Sequence, residues 1–194
     1  MKTVSRRQKE IMEAALDIMS AHGIQRLTVK NLARALKVTE PALYRHFKSK
    51  QDMLLSILSW YGEFFAGIVK KAGNTGPGAI DGIGALYGEM FRAFVERPAL
   101  SMVLFSEDIF RYDARLSREV AGIIDMTHDA IGGMLREGIR RGEIRKDVPS
   151  RQMSWMVMGT MRLVVTKWRI SGYALDLAGE GRKAFSFMKK VLEK

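Results

Sequence analysis

Apolar positions recur along this chain with the spacing of a helix face almost from end to end. Ile11, Ala14, Ala15, Ile18 and Met19 follow the i, i+3, i+4, i+7, i+8 order of one buried stripe. Ahead of them Ser5 and Gln8 make a capping-box pair. Behind them Gly23 stands where a left-handed C-cap is expected, a conformation glycine enters without a side-chain clash. The pattern predicts a helix over 5–22. A short second helix opens at Thr28, turns Val29, Leu32, Ala33 and Leu36 inward, and closes in a turn at Lys37-Val38. Thr39 caps a third, brief helix from Glu40 to Phe47, with Glu40 and Pro41 in its first turn. An acid there suits the helix dipole, and proline there loses no hydrogen bond. Ser49 and Asp52 then open a long helix from Lys50 to about Lys71.

Residues 73–78, Gly-Asn-Thr-Gly-Pro-Gly, are the clearest break. Beyond them helices are expected at about 79–96, 98–109, 113–141, 149–171 and 176–193. Pro98 and Pro149 mark two starts, Gly142 and Gly172 two ends. No alternating β pattern of useful length and no internal repeat occurs. The chain therefore reads as all-α.

Charge sharpens this picture. The net charge is +11 over 194 residues. Residues 1–50 alone hold eleven Lys and Arg against four acids. A basic end of this kind is the footprint expected of a polyanion-binding module. Cysteine is absent, which removes disulfides and thiolate metal sites and fits a reducing cytoplasm. The start of the chain lacks the apolar segment of a signal peptide, and no uncharged run of about 18 apolar residues suggests a membrane span. Catalysis is not expected. His22, His46 and His128 lie far apart, none at metal-ligand spacing, and no nucleophile elbow or phosphate-binding glycine loop is present. No cofactor and no metal site are expected.

Three short helices within 50 residues must stabilise one another, because isolated short helices are marginal in water. The second and third, joined by a tight turn, form a helix-turn-helix whose second member enters the major groove. Leu43 and Phe47, four apart, point back into the module. Glu40, Ala42, Tyr44, Arg45 and His46 occupy the other faces. At a DNA surface Tyr44 and His46 supply phosphate hydrogen bonds, Arg45 a guanidinium that reaches the groove and Ala42 a methyl contact to thymine. Glu40 either accepts from cytosine or stabilises the helix start.

The stretch from Thr28 to Lys50 resembles the signature of the TetR family of bacterial regulators. It matches at Thr28, Leu32-Ala33, Val38-Thr39, Leu43-Tyr44, His46-Phe47 and Lys50. It departs at Lys37, where the family usually has glycine. The resemblance covers residues 5–55 directly. It implies a helix-turn-helix DNA-binding domain over 1–50 and a helical effector-binding and dimerisation domain over 51–194. By the same resemblance Thr28 caps its helix and binds phosphate, and Lys30 contacts phosphate or a base. Thr39, Tyr44, His46 and Lys50 contact the backbone, while Glu40, Ala42 and Arg45 read bases.

For the larger domain the resemblance implies a bundle that dimerises through its last two helices. Trp155, Met158, Met161, Val165 and Trp168 on one, and Phe185, Met188 and Leu192 on the other, are the expected interface. It also implies an internal ligand pocket. Its candidate lining is Phe64, Phe65, Ile68, Met90, Phe94, Met102, Phe105, Met126 and Met134, with Trp155. Thirteen methionines suit an adaptable apolar pocket. The expected protein is a cytoplasmic, homodimeric repressor that binds a palindromic operator in double-stranded DNA. A small hydrophobic effector releases it, and it has no membrane partner.

Overall fold

The computed structural model describes residues 4–76, 78–105 and 113–193. Every named element among them is helical: α1 Arg6–His22, α2 Val29–Ala35, α3 Glu40–Tyr44, α4 Lys50–Gly73, α5 Ala79–Glu96, α6 Pro98–Leu104, α7 Ala114–Arg141, α8 Ser150–Ile170 and α9 Leu177–Leu192, with a 3₁₀ turn at Ile24–Arg26. The all-α expectation holds. Most boundaries fall where the capping residues and the Pro and Gly signals put them. Part of the expected stretch 98–109 lies outside the described residues. The chain divides into two compact units, Met1–Gly62 with Arg97–Val120, and Glu63–Glu96 with Ala121–Lys194.

In the first unit α1 begins at the expected capping box. Gln8 N donates to Ser5 Oγ at 3.2 Å, and Ser5 N donates to Gln8 Oε1 at 3.0 Å. The buried face is Ile11, Met12, Ala15, Leu16 and Met19. Ala14 and Ile18, expected inside, are only half-buried. The face is rotated so that the larger Met12 and Leu16 are covered instead, which removes more apolar area from water. Gly23 ends α1 at φ 78°, ψ 163°, an extended positive-φ region essentially reserved for glycine. The first half of α4 adds Met53, Leu54, Ile57, Leu58 and Tyr61 to this core. Helix α6 contributes Leu100, Val103 and Leu104, and its buried Ser101 hydroxyl is satisfied by the Pro98 carbonyl at 2.7 Å.

The second unit is built around α5. Phe65 and Phe94 are fully buried, with ring centroids 6.1 Å apart. The Tyr87 hydroxyl donates to the Val157 carbonyl, and burial pushes its pKa far above the ordinary tyrosine value. Such a phenol stays protonated and works as a fixed donor joining α5 to α8. Ser154 Oγ donates to the His128 carbonyl at 3.0 Å and ties α8 to α7. The start of α5 is capped from a distance: Ala79 N donates to Glu143 Oε2 at 2.8 Å. Helices α5 and α9 approach closely at glycines. A Cβ on Gly84 would sit 2.7 Å from the Phe185 ring, and one on Gly181 would sit 2.4 Å from the Phe91 ring.

Helix α4 is long and apolar enough to cross a membrane by length and composition alone. Of its apolar side chains Ile57, Leu58, Phe65 and Ile68 are buried in their own units, while Phe64 is exposed.

Candidate nucleic-acid interface

The N-terminus of α2 is capped by Thr28, whose Oγ1 accepts from Asn31 N at 3.1 Å. Asn31 Nδ2 in turn donates to the Arg26 carbonyl at 2.8 Å and fixes the 3₁₀ turn before it. The other end of α2 closes in a Schellman arrangement. Val38 N donates to the Ala33 carbonyl at 2.9 Å and Lys37 N to the Arg34 carbonyl at 3.2 Å. Between them Lys37 adopts φ 54°. This is the residue where the sequence departs from glycine, so a lysine occupies the left-handed position of the turn.

Helix α3 is shorter than the expected Glu40–Phe47. Its regular part ends at Tyr44. His46 N and Phe47 N then both donate to the Leu43 carbonyl, at 2.9 and 3.1 Å, and the last turn tightens. Ser49 Oγ accepts from Asp52 N at 3.0 Å and opens α4. Leu43 and Phe47 are buried, as their spacing predicts. Gln8 Nε2 donates to the His46 carbonyl at 3.3 Å, which holds the end of α3 against α1.

What remains outward is a polar, cationic surface. Thr28, Lys30, Thr39, Glu40, Tyr44 and Arg45 are exposed, and Ala42 and His46 are half-buried. Tyr44 stands 51% exposed between two buried apolar residues. Thr39 caps α3 with its backbone only, since its side chain makes no capping bond. Its hydroxyl therefore remains available to a ligand. Three further exposed cations, Arg34, Lys37 and Lys48, adjoin the motif. They entered the charge count without being assigned a role, although their position in the turn and beside α3 was the signal. Among the described residues no ion pair joins Lys30, Arg34, Lys37, Arg45 or Lys48 to a carboxylate.

Lys50 behaves differently. Its Nζ donates to the Ile24 carbonyl at 3.4 Å, and partial burial lowers its pKa. The ammonium is turned into the module and braces the loop after α1. An ammonium has three donors, so this bond leaves two N–H groups for a phosphate.

The residues expected around a ligand belong to both units. Met102 and Phe105 lie in the first unit and the others in the second. In the second unit Phe65, Ile68, Met90 and Phe94 are buried, Met126 and Met134 are half-buried and Phe64 is 47% exposed. Trp155 does not reach the interior. It is 50% exposed and lies against His128 with ring centroids 4.7 Å apart. A cavity of about 370 Å³ does exist in this unit, between α5 and α9, and none of the expected ligand residues lines it.

The residues expected at the subunit interface differ in exposure. Met161, Val165, Trp168, Met188 and Leu192 are buried within the chain itself. Phe185 is half-buried against Tyr87, with centroids 5.5 Å apart. Met158 keeps partial exposure and Trp155 stays outside. The apolar residues these two helices do expose are Trp155, Leu163, Ile170 and Phe187.

Comparison with known proteins supplies the context. Residues 11–57 match the family described as bacterial regulatory proteins, tetR family. Residues 80–190 match the C-terminal region of YsiA-like proteins. The fatty acid metabolism regulator protein of Bacillus subtilis (strain 168) is 24% identical over 178 residues, 91% of each chain. A nucleoid occlusion factor, SlmA of Actinobacillus pleuropneumoniae serotype 5b (strain L20), is 26% identical over 151 residues, 75% of this chain and 73% of that one. The crystal structure of the transcriptional regulator FadR from Bacillus subtilis in complex with stearoyl-CoA superposes with a TM-score of 0.82 at 20% identity. That superposition covers 97% of this chain and 100% of the other.

Proposed function

This chain belongs to the tetR family of bacterial regulatory proteins and is a DNA-binding transcriptional regulator; we propose that it is a cytoplasmic, dimeric repressor whose operator complex dissolves when an acyl chain carried on coenzyme A enters its C-terminal region. Residues 1–50 carry DNA recognition, and residues 51–194 carry effector binding and dimerisation. The observation that supports DNA recognition best is the outward face of α3. Tyr44 and Arg45 stand exposed beside the buried Leu43 and Phe47. The Thr39 hydroxyl is left uncapped at the head of the helix.

In this reading Arg45, Ala42 and Glu40 meet base edges. Thr28, Lys30, Thr39, Tyr44, His46 and Lys50 hold phosphates on either side. The effector class rests on the two relatives named for fatty acids and for stearoyl-CoA. Release follows if the effector binds the non-matching conformation better. About a 10⁴-fold differential moves a switch from 1:99 to 99:1.

The test is selection of bound duplexes from a random pool, followed by anisotropy titration. The expected result is a palindrome preferred by about 10³-fold or more over random duplex at fixed salt. Stearoyl-CoA dissolves that complex and free coenzyme A does not. The similarity to a nucleoid occlusion factor favours a second reading, a site-specific DNA-bound factor that is not released by acyl-CoA. A palindrome complex that persists under saturating stearoyl-CoA selects that second reading. A protein indifferent to every duplex defeats both.

A further inference from the structure

The cavity between α5 and α9 is built from features that packing explains and one that it does not. Gly84 and Gly181 are required by contact, because a Cβ on either would strike Phe185 or Phe91. Gly88, which also lines the cavity, has nothing within 4 Å of where its Cβ would be. Its φ is not positive either. A glycine inside a helix costs about 1 kcal/mol relative to alanine. At Gly88 neither backbone conformation nor neighbouring atoms account for that cost, and the effect of the missing side chain is to leave the groove open.

The lining is segregated. Buried Phe91 and half-buried Phe185 form an apolar floor. Val95 is left 48% exposed at one end. Among the described residues the charged lining residues are Arg92 and Arg182, both exposed. Arg92 is held in place by Glu89, which also pairs with Lys71 Nζ at 3.2 Å. Among the described residues Arg182 pairs with no carboxylate. A volume of about 370 Å³ falls at the small end of the range for ligand sites, about 300–1,000 Å³. The groove is also separate from the apolar flank of α9 that Phe187 marks. Phe187 follows Phe185 by two residues, which is about 200° around a helix.

We infer that this groove is a second small-molecule site, which takes a medium-chain fatty carboxylate with its alkyl chain on Phe91, Phe185 and Val95 and its carboxylate at Arg92 and Arg182. Guanidinium groups match carboxylate geometry with paired hydrogen bonds. The open face of Gly88 admits the chain. This site is distinct from the acyl-CoA site of the proposed function.

Calorimetric titration of the full-length protein with decanoate tests it, with 1-decanol as the uncharged control. The expected result is saturable binding of one decanoate per subunit and at least tenfold weaker binding of 1-decanol. Arg182→Glu weakens decanoate at least tenfold and Gly88→Leu abolishes its binding. Both variants keep the wild-type circular dichroism spectrum, operator affinity and release by stearoyl-CoA. The inference is overturned if wild-type protein does not bind decanoate, if both variants bind it as wild type does, or if 1-decanol binds equally well. It is also overturned if Gly88→Leu removes the stearoyl-CoA response together with decanoate binding, because the groove is then part of the effector site.

Discussion

Val38 donates its backbone N–H to the Ala33 carbonyl at 2.9 Å, and the bond can form only because Lys37 between them adopts φ 54°. The turn of the helix-turn-helix therefore rests on a lysine in a region that side chains enter at a cost of about 1 kcal/mol. Lys37→Gly relieves that cost and in return frees the unfolded backbone, so a net gain of about 0.5 kcal/mol is expected. Lys37→Val crowds the same position with a branched side chain and lowers stability. Urea unfolding of the three proteins checks the order Gly above Lys above Val. If glycine lowers stability, the lysine is not strained there.

In the proposed DNA complex the exposed cations around α3 divide into those that read sequence and those that only bind charge. Arg45→Ala is expected to cost about 1–3 kcal/mol at the operator and to relax the preference at one base pair. Lys48→Ala instead weakens all duplexes alike and reduces the slope of log affinity against log salt by about 1. Anisotropy titrations on operator and random duplex at several salt concentrations separate the two. An Arg45→Ala protein with unchanged preference removes Arg45 from base reading.

Gly181 and Phe91 make the tightest glycine contact between α5 and α9, since a Cβ would sit 2.4 Å from the ring. Gly181→Ala should cost about 1–3 kcal/mol through overpacking. Adding Phe91→Leu makes room and recovers part of that loss, so the two substitutions are non-additive. Chemical denaturation of the double-mutant cycle measures the coupling, and purely additive effects contradict this contact.

Acid should weaken the fold in a defined window. Asp113 is held at about 2, against an ordinary 3.8, chiefly by its hydrogen bond from the Arg115 side chain, and Asp147 at about 2 by Arg145. Glu137 is likewise held at about 2, from 4.5, by Arg140 and Arg141. Folded-state values below unfolded ones mean that the unfolded chain takes up protons first. This contribution is complete above about pH 4.5 and is lost as pH falls towards 2. Asp147 is exposed and Asp113 and Glu137 are half-buried, each paired with an arginine at the surface, so the effect is modest and screened by salt. Asp113→Asn flattens part of the dependence between pH 4 and 2, as read by melting temperature. A profile identical to wild type removes the Asp113 pair from the account.

Much of this was legible in the sequence because local chemistry decided it. Capping pairs such as Ser5 and Gln8, prolines at helix starts and the Leu43–Phe47 spacing each need only near neighbours. The phase of a helix was less legible. In α1 the run from Ile11 to Met19 offers two apolar faces, and only packing selects the one with Met12 and Leu16. In α8 the series Trp155, Met158, Met161, Val165, Trp168 advances mostly by threes. Each step of three falls about 60° short of a full turn, so the series winds around the helix rather than along one face. Trp155 accordingly lies outside while Trp168 is inside. The groove was invisible for a different reason: Gly88, Arg92 and Arg182 carry no motif and meet only when α5 and α9 pack.

That winding leaves an exposed apolar stripe, on which the proposed dimer seats its second copy. Leu163, Ile170 and Phe187 are 61%, 81% and 68% exposed, the largest apolar exposures on α8 and α9, and Trp155 adds 50%. Two-fold interfaces are self-complementary, and aromatic and aliphatic anchors at their centre dominate their energetics. Leu163→Glu with Phe187→Glu places unpaired charges where the partner copy should seat, whereas both positions cost an isolated chain little because they are already in water. The double variant is expected to sediment as a folded monomer with a wild-type helical spectrum. It should also lose operator binding by about 10²-fold or more, since one subunit keeps only one half-site. Arg151→Glu, exposed at the start of α8, serves as the charge control and should remain dimeric. A Leu163→Glu, Phe187→Glu protein that still sediments as a dimer would move the interface elsewhere, and the exposed apolar stripe would then need another partner.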